Sequence, residues 1–250
     1  TRNTLGLALV ISVAILFIAS VFGVDPFVSF WGTAERGTGG LMWLHLLPIF
    51  FIASSVFPKP KDWTPLFFTQ TVVGLLVSAG FFLNRIDSTF LFDSKIGSTL
   101  GNSSFLGSYL LFAILAAVLL AVMSRSRPWR TYAIVAALTL ILTLLSTEAN
   151  AVLLAFWGAL PAAVGFYLAT NPRRRQRWAG AGILAVMTIV LVASSILVFQ
   201  PGSRANDYFL SKTGGARLPL WDVSWQAVKD RLVLGWGMEN FPLAFFEHFD

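Results

Sequence analysis

Cysteine is absent from this 250-residue chain, charged residues make up only 12% of it, and it holds two histidines. Without cysteine, neither disulfides nor thiolate metal sites can form. No His, Asp or Glu cluster has metal-ligand spacing, so we expect no bound metal and no cofactor. A glycine-rich phosphate loop and a nucleophile elbow are also missing. The sequence therefore argues against thiol, metal-dependent and nucleotide-hydrolysing enzymes.

Apolar residues are abundant: they form 56% of the chain, and the mean hydropathy is +0.73. A bilayer core of about 30 Å needs about 20 apolar residues per helix, and lipid forces such spans to be helical. We therefore predict an all-α fold, a polytopic transmembrane helix bundle with about seven spans. The predicted spans cover about 4–24, 38–57, 64–83, 104–123, 131–147, 151–169 and 179–199.

The loops between these spans alternate in charge. The strongly basic set contains Arg2, Lys59, Lys61, residues 125–130 and residues 173–177. Because cytoplasmic loops carry excess Lys and Arg, we predict that this set and the N-terminus are cytoplasmic. The mixed-charge loops, 25–37, 84–102 and 200–250, then lie outside. The net charge of +6 follows the membrane loops, so we expect contacts with membrane lipids and no nucleic-acid partner.

Two regions follow from this topology: a transmembrane bundle at 1–199 and an outer loop at 200–250. Within the outer loop, 217–232 has the spacing of an amphipathic helix, which would lie in the membrane interface. Its predicted apolar face consists of Leu218, Trp221, Trp225, Val228 and Leu232. Because the chain begins at Thr1 and stops at Asp250, we expect a fragment cut at both ends.

Two outer arginines could carry chemistry. Arg36 lies at the mouth of the second span, where it could pair with Glu35, anchor in the interface or contact a diphosphate. Arg217 heads the apolar face of the predicted interfacial helix and should have an anionic partner, either a lipid-linked diphosphate or a phospholipid headgroup. A guanidinium suits a diphosphate because it binds two oxygens and stays charged. Trp221 could stack on a sugar or simply anchor the helix.

Three other polar residues have simpler interpretations. Asn102 precedes the fourth span and is predicted to cap it, which would create an anion-friendly helix N-terminus. His45 is predicted to be a hydrogen-bonded packing residue between helices, and His248 a surface histidine.

Four stretches in order resemble the bacterial O-antigen ligase and polymerase superfamily. They are residues 29–39 (S-F-W-G-x-x-E-R-x-x-G), residues 101–106 (G-N-x-x-F-L) leading into Tyr109, Arg217-x-x-x-Trp221, and residues 235–241 (G-W-G-x-E-N-F). Each motif is weak alone, whereas the ordered set is fairly specific.

The resemblance implies a metal-independent membrane glycosyltransferase of the bacterial inner membrane. Such enzymes move a glycan from undecaprenyl diphosphate to a lipid or glycan acceptor on the outer side. By this resemblance Arg217 matches a diphosphate-binding arginine and is the catalytic candidate. The candidates for substrate binding are Arg36, Asn102, Trp221, Glu239 and Asn240.

Two departures from the family pattern stand out. Asn150 occupies the position where an arginine is expected, so one diphosphate contact is missing or comes from Arg36. The family's histidine element, which holds the presumed base, would follow Asp250, so this fragment alone is expected to be inactive. Two alternatives stay open: a transporter or flippase for lipid-linked saccharides, and an inactive accessory subunit. A transporter should have charged or broken helices at the midplane. The predicted spans lack internal charges, which argues against a transporter.

Overall fold

A computed structural model describes residues 4–86, 97–211 and 215–249. All regular secondary structure in those residues is helical, with eleven α-helices and two short 3-10 turns, Pro60–Trp63 and Ser98–Leu100. The helices are α1 Thr4–Val21, α2 Pro26–Trp31, α3 Gly40–Val56, α4 Thr64–Ile86, α5 Ser103–Met123, α6 Arg127–Leu145, α7 Asn150–Ala169, α8 Arg174–Phe199, α9 Arg204–Phe209, α10 Gly215–Asp230 and α11 Phe241–His248.

Helix length and composition agree with the predicted fold class. In the described residues six helices are long and apolar enough to cross a membrane. The segment predicted as the second span is helix α3, which has only 17 residues and contains Pro48. The all-α polytopic architecture is thus confirmed, whereas the membrane orientation stays a prediction.

The chain divides into two compact units. Unit 1 consists of Thr1–Pro58 and Ala193–Asp250, and unit 2 is Lys59–Val192. Unit 1 therefore joins the first helices to the last fifty residues of the sequence. The sequence-based division at residue 199 separates the chain by membrane side rather than by packing, and it stays a prediction.

Unit 2 has a core formed by α4, α5 and α6. Helix α5 packs against both of the others, and its Leu106, Leu110 and Ala113 are fully buried. Small residues allow this close packing: a Cβ placed on Gly74 of α4 would lie 2.9 Å from the Ala113 Cβ. Close approach at small residues is how helices associate in lipid, where apolar surface alone gives no driving force.

In unit 1, caps and turns organise the polar loop between α1 and α3. Asp25 caps the short helix α2, accepting a hydrogen bond from Val28 N at 3.0 Å. Gly32 ends α2 with φ of +82°. Helix α3 begins over a small residue of α1, since a Cβ on Gly40 would lie 3.2 Å from Ser20 Oγ. These turns fix the backbone of residues 23–39, on which the last part of the chain packs.

Candidate functional site

Two of the sequence motifs, residues 29–39 and residues 235–241, meet in unit 1. Residues 235–241 fold against residues 23–39, and Asn240, only 1% exposed, lies between them. Its Nδ2 lies 2.9 Å from Ser29 Oγ, 2.8 Å from Trp236 O and 3.3 Å from Asp25 O. An amide has two hydrogens, so one is shared between acceptors. We call this contact between residues 23–39 and 235–241 the junction.

Two glycines allow the backbones to approach at the junction. Val24 N donates to Trp236 O at 2.9 Å. Gly237 has φ of +91°, and a Cβ there would lie 2.8 Å from Gly23 Cα. A Cβ on Gly23 would in turn lie 2.7 Å from Ser29 Oγ. Side chains at either position would separate the two segments, which explains the glycine of the G-W-G pattern physically.

Glu239 makes the second connection across the junction. Its carboxylate accepts hydrogen bonds from the Thr38 hydroxyl and, at 3.1 Å, from Thr33 Oγ1. The Thr38 hydrogen bond is the main cause that lowers the pKa of Glu239, and Thr33 and the charge of Arg36 lower it further against the effect of burial. Glu239 adopts φ of +60°, an uncommon backbone conformation for a residue with a side chain. The carboxylate thus holds the turn that carries Arg36.

The Arg36 guanidinium is exposed at the tip of that turn. Arg36 N donates to Thr33 O at 3.2 Å, and Gly37 N donates to the same oxygen at 2.8 Å. Within the described residues no ion pair joins Arg36 to Glu35, so the structure does not favour that one of the alternatives for Arg36. The turn is held while the charged group stays available to an outside anion.

Arg217 and Trp221 are on helix α10, also in unit 1. Both are exposed, and the Trp221 ring centroid lies 6.2 Å from that of Phe209. Among the described residues no contact joins Arg217 to Arg36, Glu239 or Asn240. The structure therefore brings together three of the six candidates, Arg36, Glu239 and Asn240.

Helix α10 presents two faces. Val223 and Ala227 are buried, and Trp236 Nε1 donates to Ala227 O at 2.8 Å. The predicted apolar face is largely uncovered by protein, with Trp225 61% exposed. The helix spans Gly215–Asp230, so Leu232 lies beyond its end and the predicted range 217–232 runs two residues too far.

Asn102 belongs to unit 2, where it caps helix α5. Its Oδ1 accepts a hydrogen bond from Ser104 N at 2.8 Å. The predicted capping geometry is present, and a contact of Asn102 with substrate stays a prediction.

An arginine of unit 2 contacts the chain just before Asn150. Arg85, at the end of α4, donates from Nη2 to Ser146 O at 2.8 Å and pairs with Glu148 at 3.4 Å. Asn150 itself is exposed at the first residue of α7. The outer-loop charges Asp87, Asp93 and Lys95 lie outside the described residues.

His248 is a second residue that the sequence did not reveal. Its Nδ1 lies 2.8 Å from Ala244 O and its Nε2 lies 2.5 Å from Asp230 Oδ2. Both partners are acceptors, so a protonated ring can donate from both of its nitrogens. The Ala244 carbonyl, followed by Asp230, raises the pKa of His248. The side chain is 12% exposed, so His248 lies at the protein surface but is held there by its two partners. His45 bonds Leu41 O of its own helix and is exposed, contrary to the predicted packing role.

Metal ligands are sparse in this site. In residues 4–86, 97–211 and 215–249 no group of three His, Cys, Asp or Glu side chains could hold a metal ion. The two cationic candidates of the site, Arg36 and Arg217, are arginines, and a guanidinium needs no metal to bind phosphate.

The long apolar helices define a multi-pass membrane protein, and a polar junction beside an exposed arginine is its candidate site. Residues 135–250 match the family described as O-Antigen ligase. This match over residues 135–250 confirms the resemblance to the O-antigen ligase superfamily that was drawn from the motifs. The match includes α10, residues 235–241 and α11, and residues 23–39 lie outside it. No curated protein and no solved structure matches the chain.

Proposed function

We propose that this protein transfers a glycan from undecaprenyl diphosphate to an acceptor hydroxyl at the outer face of the bacterial inner membrane. One observation supports the proposal most directly. Asn240 and Glu239, from the matched O-antigen ligase region, hold the turn of residues 33–38 and leave the Arg36 guanidinium exposed. Burying the polar groups of the junction costs free energy, and a lipid-facing surface would gain nothing from it. An arginine that the junction positions without an ion-pair partner can bind a diphosphate.

In the proposed reaction the arginines bind the leaving group, which is the diphosphate. The acceptor oxygen bonds to the anomeric carbon as the bond from that carbon to the diphosphate oxygen breaks. The acceptor proton passes to a base, and negative charge develops on the departing diphosphate. Arg36 and Arg217 are proposed to stabilise this charge, because a positioned guanidinium donates two hydrogen bonds and stays ionised. Trp221 is proposed as a stacking surface for the glycan, and Asn102 as a further substrate contact.

The decisive experiment is an arginine-to-lysine comparison in the full-length protein. Arg36→Lys and Arg217→Lys keep the charge and lose the fork that grips two oxygens. Each should lower transfer from undecaprenyl-diphosphate-linked glycan by roughly 10²–10³-fold, the usual cost of one preorganised donor. The control is Arg204→Lys on α9, also an outer-loop residue in unit 1 by the predicted topology, which should stay near wild-type. Arg85 is unsuitable as a control because it is bound to Ser146 and Glu148.

Three results would argue against the proposal. If both variants transfer glycan as well as the Arg204 control, neither arginine binds the diphosphate. If proteoliposomes move the lipid-linked saccharide across the membrane without forming a product, the protein is a flippase. If excess EDTA abolishes transfer and Mg²⁺ restores it, the expected metal independence is wrong.

The same proposal places residues 200–250 outside the cell membrane. Cysteines introduced at Ser126 and Asp207 report the two sides, since the chain has no other cysteine. A membrane-impermeant maleimide should label position 207 alone in intact spheroplasts. Labelling of position 126 alone would reverse the orientation and move the junction to the cytoplasmic side.

A further inference from the structure

A basic cavity lies in unit 2 where α4 begins, α5 ends and α6 begins. Its volume is about 510 Å³, within the range of about 300–1,000 Å³ typical of small-molecule sites. The residues that line it and matter here are Lys61, Thr64, Phe68, Met123, Arg125 and Trp129. All belong to the loops that the sequence assigns to the strongly basic membrane side or to the adjoining helix turns.

The cavity is positive and has no counter-charge of its own. Lys61 and Arg125 line it, and no acidic residue does. The nearest acid in sequence, Asp62, accepts a hydrogen bond from Lys59 N at 2.9 Å. Within the described residues neither Lys61 nor Arg125 forms an ion pair. Two unpaired cations on one cavity are stabilised by an anion from outside the chain.

Hydrogen-bond donors reach the same place. Ser126 precedes α6 with extended backbone but makes no side-chain cap bond, so the first N–H groups of α6 lack a cap from it. The hydroxyls of Thr64, Ser124 and Ser126 also line the cavity. These donors and the positive end of a helix suit a phosphate diester, and the cations supply most of the attraction.

The other wall of the cavity is apolar and partly exposed. Phe68, Leu120 and Met123 form the wall, and Trp129 is 51% exposed. The Trp129 ring packs edge-on against Phe68 with centroids 5.2 Å apart. A free phosphate would leave this wall uncovered, whereas an amphiphile would cover it with acyl chain. Basic pockets between transmembrane helices on the cytoplasmic side are typical lipid headgroup sites.

We propose that this cavity binds an anionic phospholipid, with the phosphate between Lys61 and Arg125 and an acyl chain along Phe68 and Leu120. The site is built wholly from unit 2 and does not depend on the glycan-transfer proposal. It predicts selection by headgroup charge at one defined place, in addition to the diffuse attraction of all basic loops to an anionic leaflet.

The test is a competition between equal amounts of phosphatidylglycerol and phosphatidylcholine for the full-length protein. Native mass spectrometry measures which lipid is bound. The double variant Lys61→Gln/Arg125→Gln should lose roughly tenfold or more of the preference for phosphatidylglycerol, since each cation near a headgroup contributes substantially. The matched control, Arg173→Gln/Arg175→Gln, removes the same charge from the next basic loop and should keep the preference. Equal loss in both would show diffuse attraction and overturn the proposal.

Two further measurements test whether the bound anion is a lipid and whether it occupies this cavity. If inorganic phosphate at millimolar concentration displaces the bound lipid from the wild-type protein, the cavity is an anion site without lipid specificity, and the proposal fails. Should the double variant not fold, brominated phosphatidylglycerol tests the wild-type cavity through its tryptophan. Trp129→Phe should remove more of the bromine quenching than Trp178→Phe, a substitution outside the cavity, and equal losses would again overturn the site.

Discussion

The core of unit 2 and the junction of unit 1 are stabilised in opposite ways. In unit 2, α4, α5 and α6 meet through fully buried Leu and Ala side chains. In unit 1, residues 23–39 and 235–241 meet through one buried amide, one carboxylate and two close glycines. The first contact needs only apolar side chains of suitable size. The second needs particular donors opposite particular acceptors, so few substitutions can preserve it.

This difference indicates where specificity resides. Apolar packing tolerates exchange of one aliphatic residue for another of similar volume. A buried hydrogen-bond network does not tolerate loss of a partner, because the remaining groups are then desolvated without compensation. If the loops served only to connect helices, their polar groups could remain hydrated by water. The junction instead fixes the loop that carries Arg36.

The most damaging change should occur in the apolar core. Gly74→Leu in α4 would place a branched side chain where even a Cβ comes within 2.9 Å of Ala113 and 3.0 Å of Leu140. Overpacking of a close helix contact costs about 3 kcal/mol, and separation of α4 from α5 would cost more. We expect a large fall in the thermal midpoint of far-UV circular dichroism in detergent.

Gly158→Leu is the matched control for that change. A Cβ at Gly158 of α7 would meet nothing within 4 Å. The control should keep the wild-type midpoint, and a similar fall in both variants would show that glycine flexibility, and not close packing, explains the effect.

The junction is tested by two conservative changes that should differ in outcome. Asn240→Asp keeps the side-chain shape but replaces a donor with an acceptor that faces three other oxygens, at an expected cost of about 2–3 kcal/mol. The measurement is hydrogen exchange at the Val24 amide, whose bond to Trp236 O spans the junction. That amide should exchange faster, while core amides of α5 stay protected.

Asn102→Asp provides the control. Asn102 accepts a hydrogen bond as the cap of α5, and Asp accepts equally well there and suits the helix dipole. We therefore expect wild-type stability or slightly more. If Asn240→Asp leaves exchange at Val24 unchanged, the amide does not hold the junction.

Glu239 should give a smaller effect that depends on pH. Its pKa is lowered in the folded protein from an ordinary value of 4.5, so its carboxylate contributes stability above that value. The contribution disappears as pH falls through the lower, folded-state pKa. At neutral pH, wild type should exceed Glu239→Gln in unfolding free energy by less than about 1 kcal/mol, measured through the thermal midpoints. This difference should vanish in acid. A difference that grows on acidification would contradict the Thr33 and Thr38 hydrogen bonds.

His248 should give the smallest effect, with the opposite sign of pH dependence. Its pKa is raised above 6.5, so the imidazolium contributes stability below that pH. The contribution is lost as pH rises through the raised folded-state pKa. Wild type should therefore lose its small advantage over His248→Gln in hydrogen-exchange protection of α11 at alkaline pH. A constant difference would mean that packing on Trp236, and not charge, holds the ring.

The sequence predicted the helices well because each apolar run is long enough to settle its own structure. Its errors occur at helix ends and in the short helices α2, α9 and α11, which it did not predict. Helix α8 begins at Arg174, several residues before the predicted span, because exposed arginines continue the helix into water. Helix α3 is limited to 17 residues and contains Pro48, which hydropathy alone does not register.

Only part of the candidate site could be predicted from the sequence. Family motifs marked Glu239, Asn240 and Arg36, but nothing in the order of residues showed that they meet. Asn240 and Ser29 are 211 positions apart, and such a pair has no local signature. The His248–Asp230 contact was missed for a related reason: it depends on how α10 and α11 pack, and neither helix pattern encodes the angle between them.

The separation of the two halves of the junction also sets an order of events during synthesis. Ribosomes add roughly 5–20 residues per second, so residue 240 follows residue 29 by roughly 10–40 s. During that interval the turn with Arg36 has been made, but neither Glu239 nor Asn240 exists to hold it. The α4–α5–α6 core can assemble meanwhile from neighbouring segments. The nascent protein should thus become a folded helical bundle first and gain an organised junction only once residues 235–241 have been made.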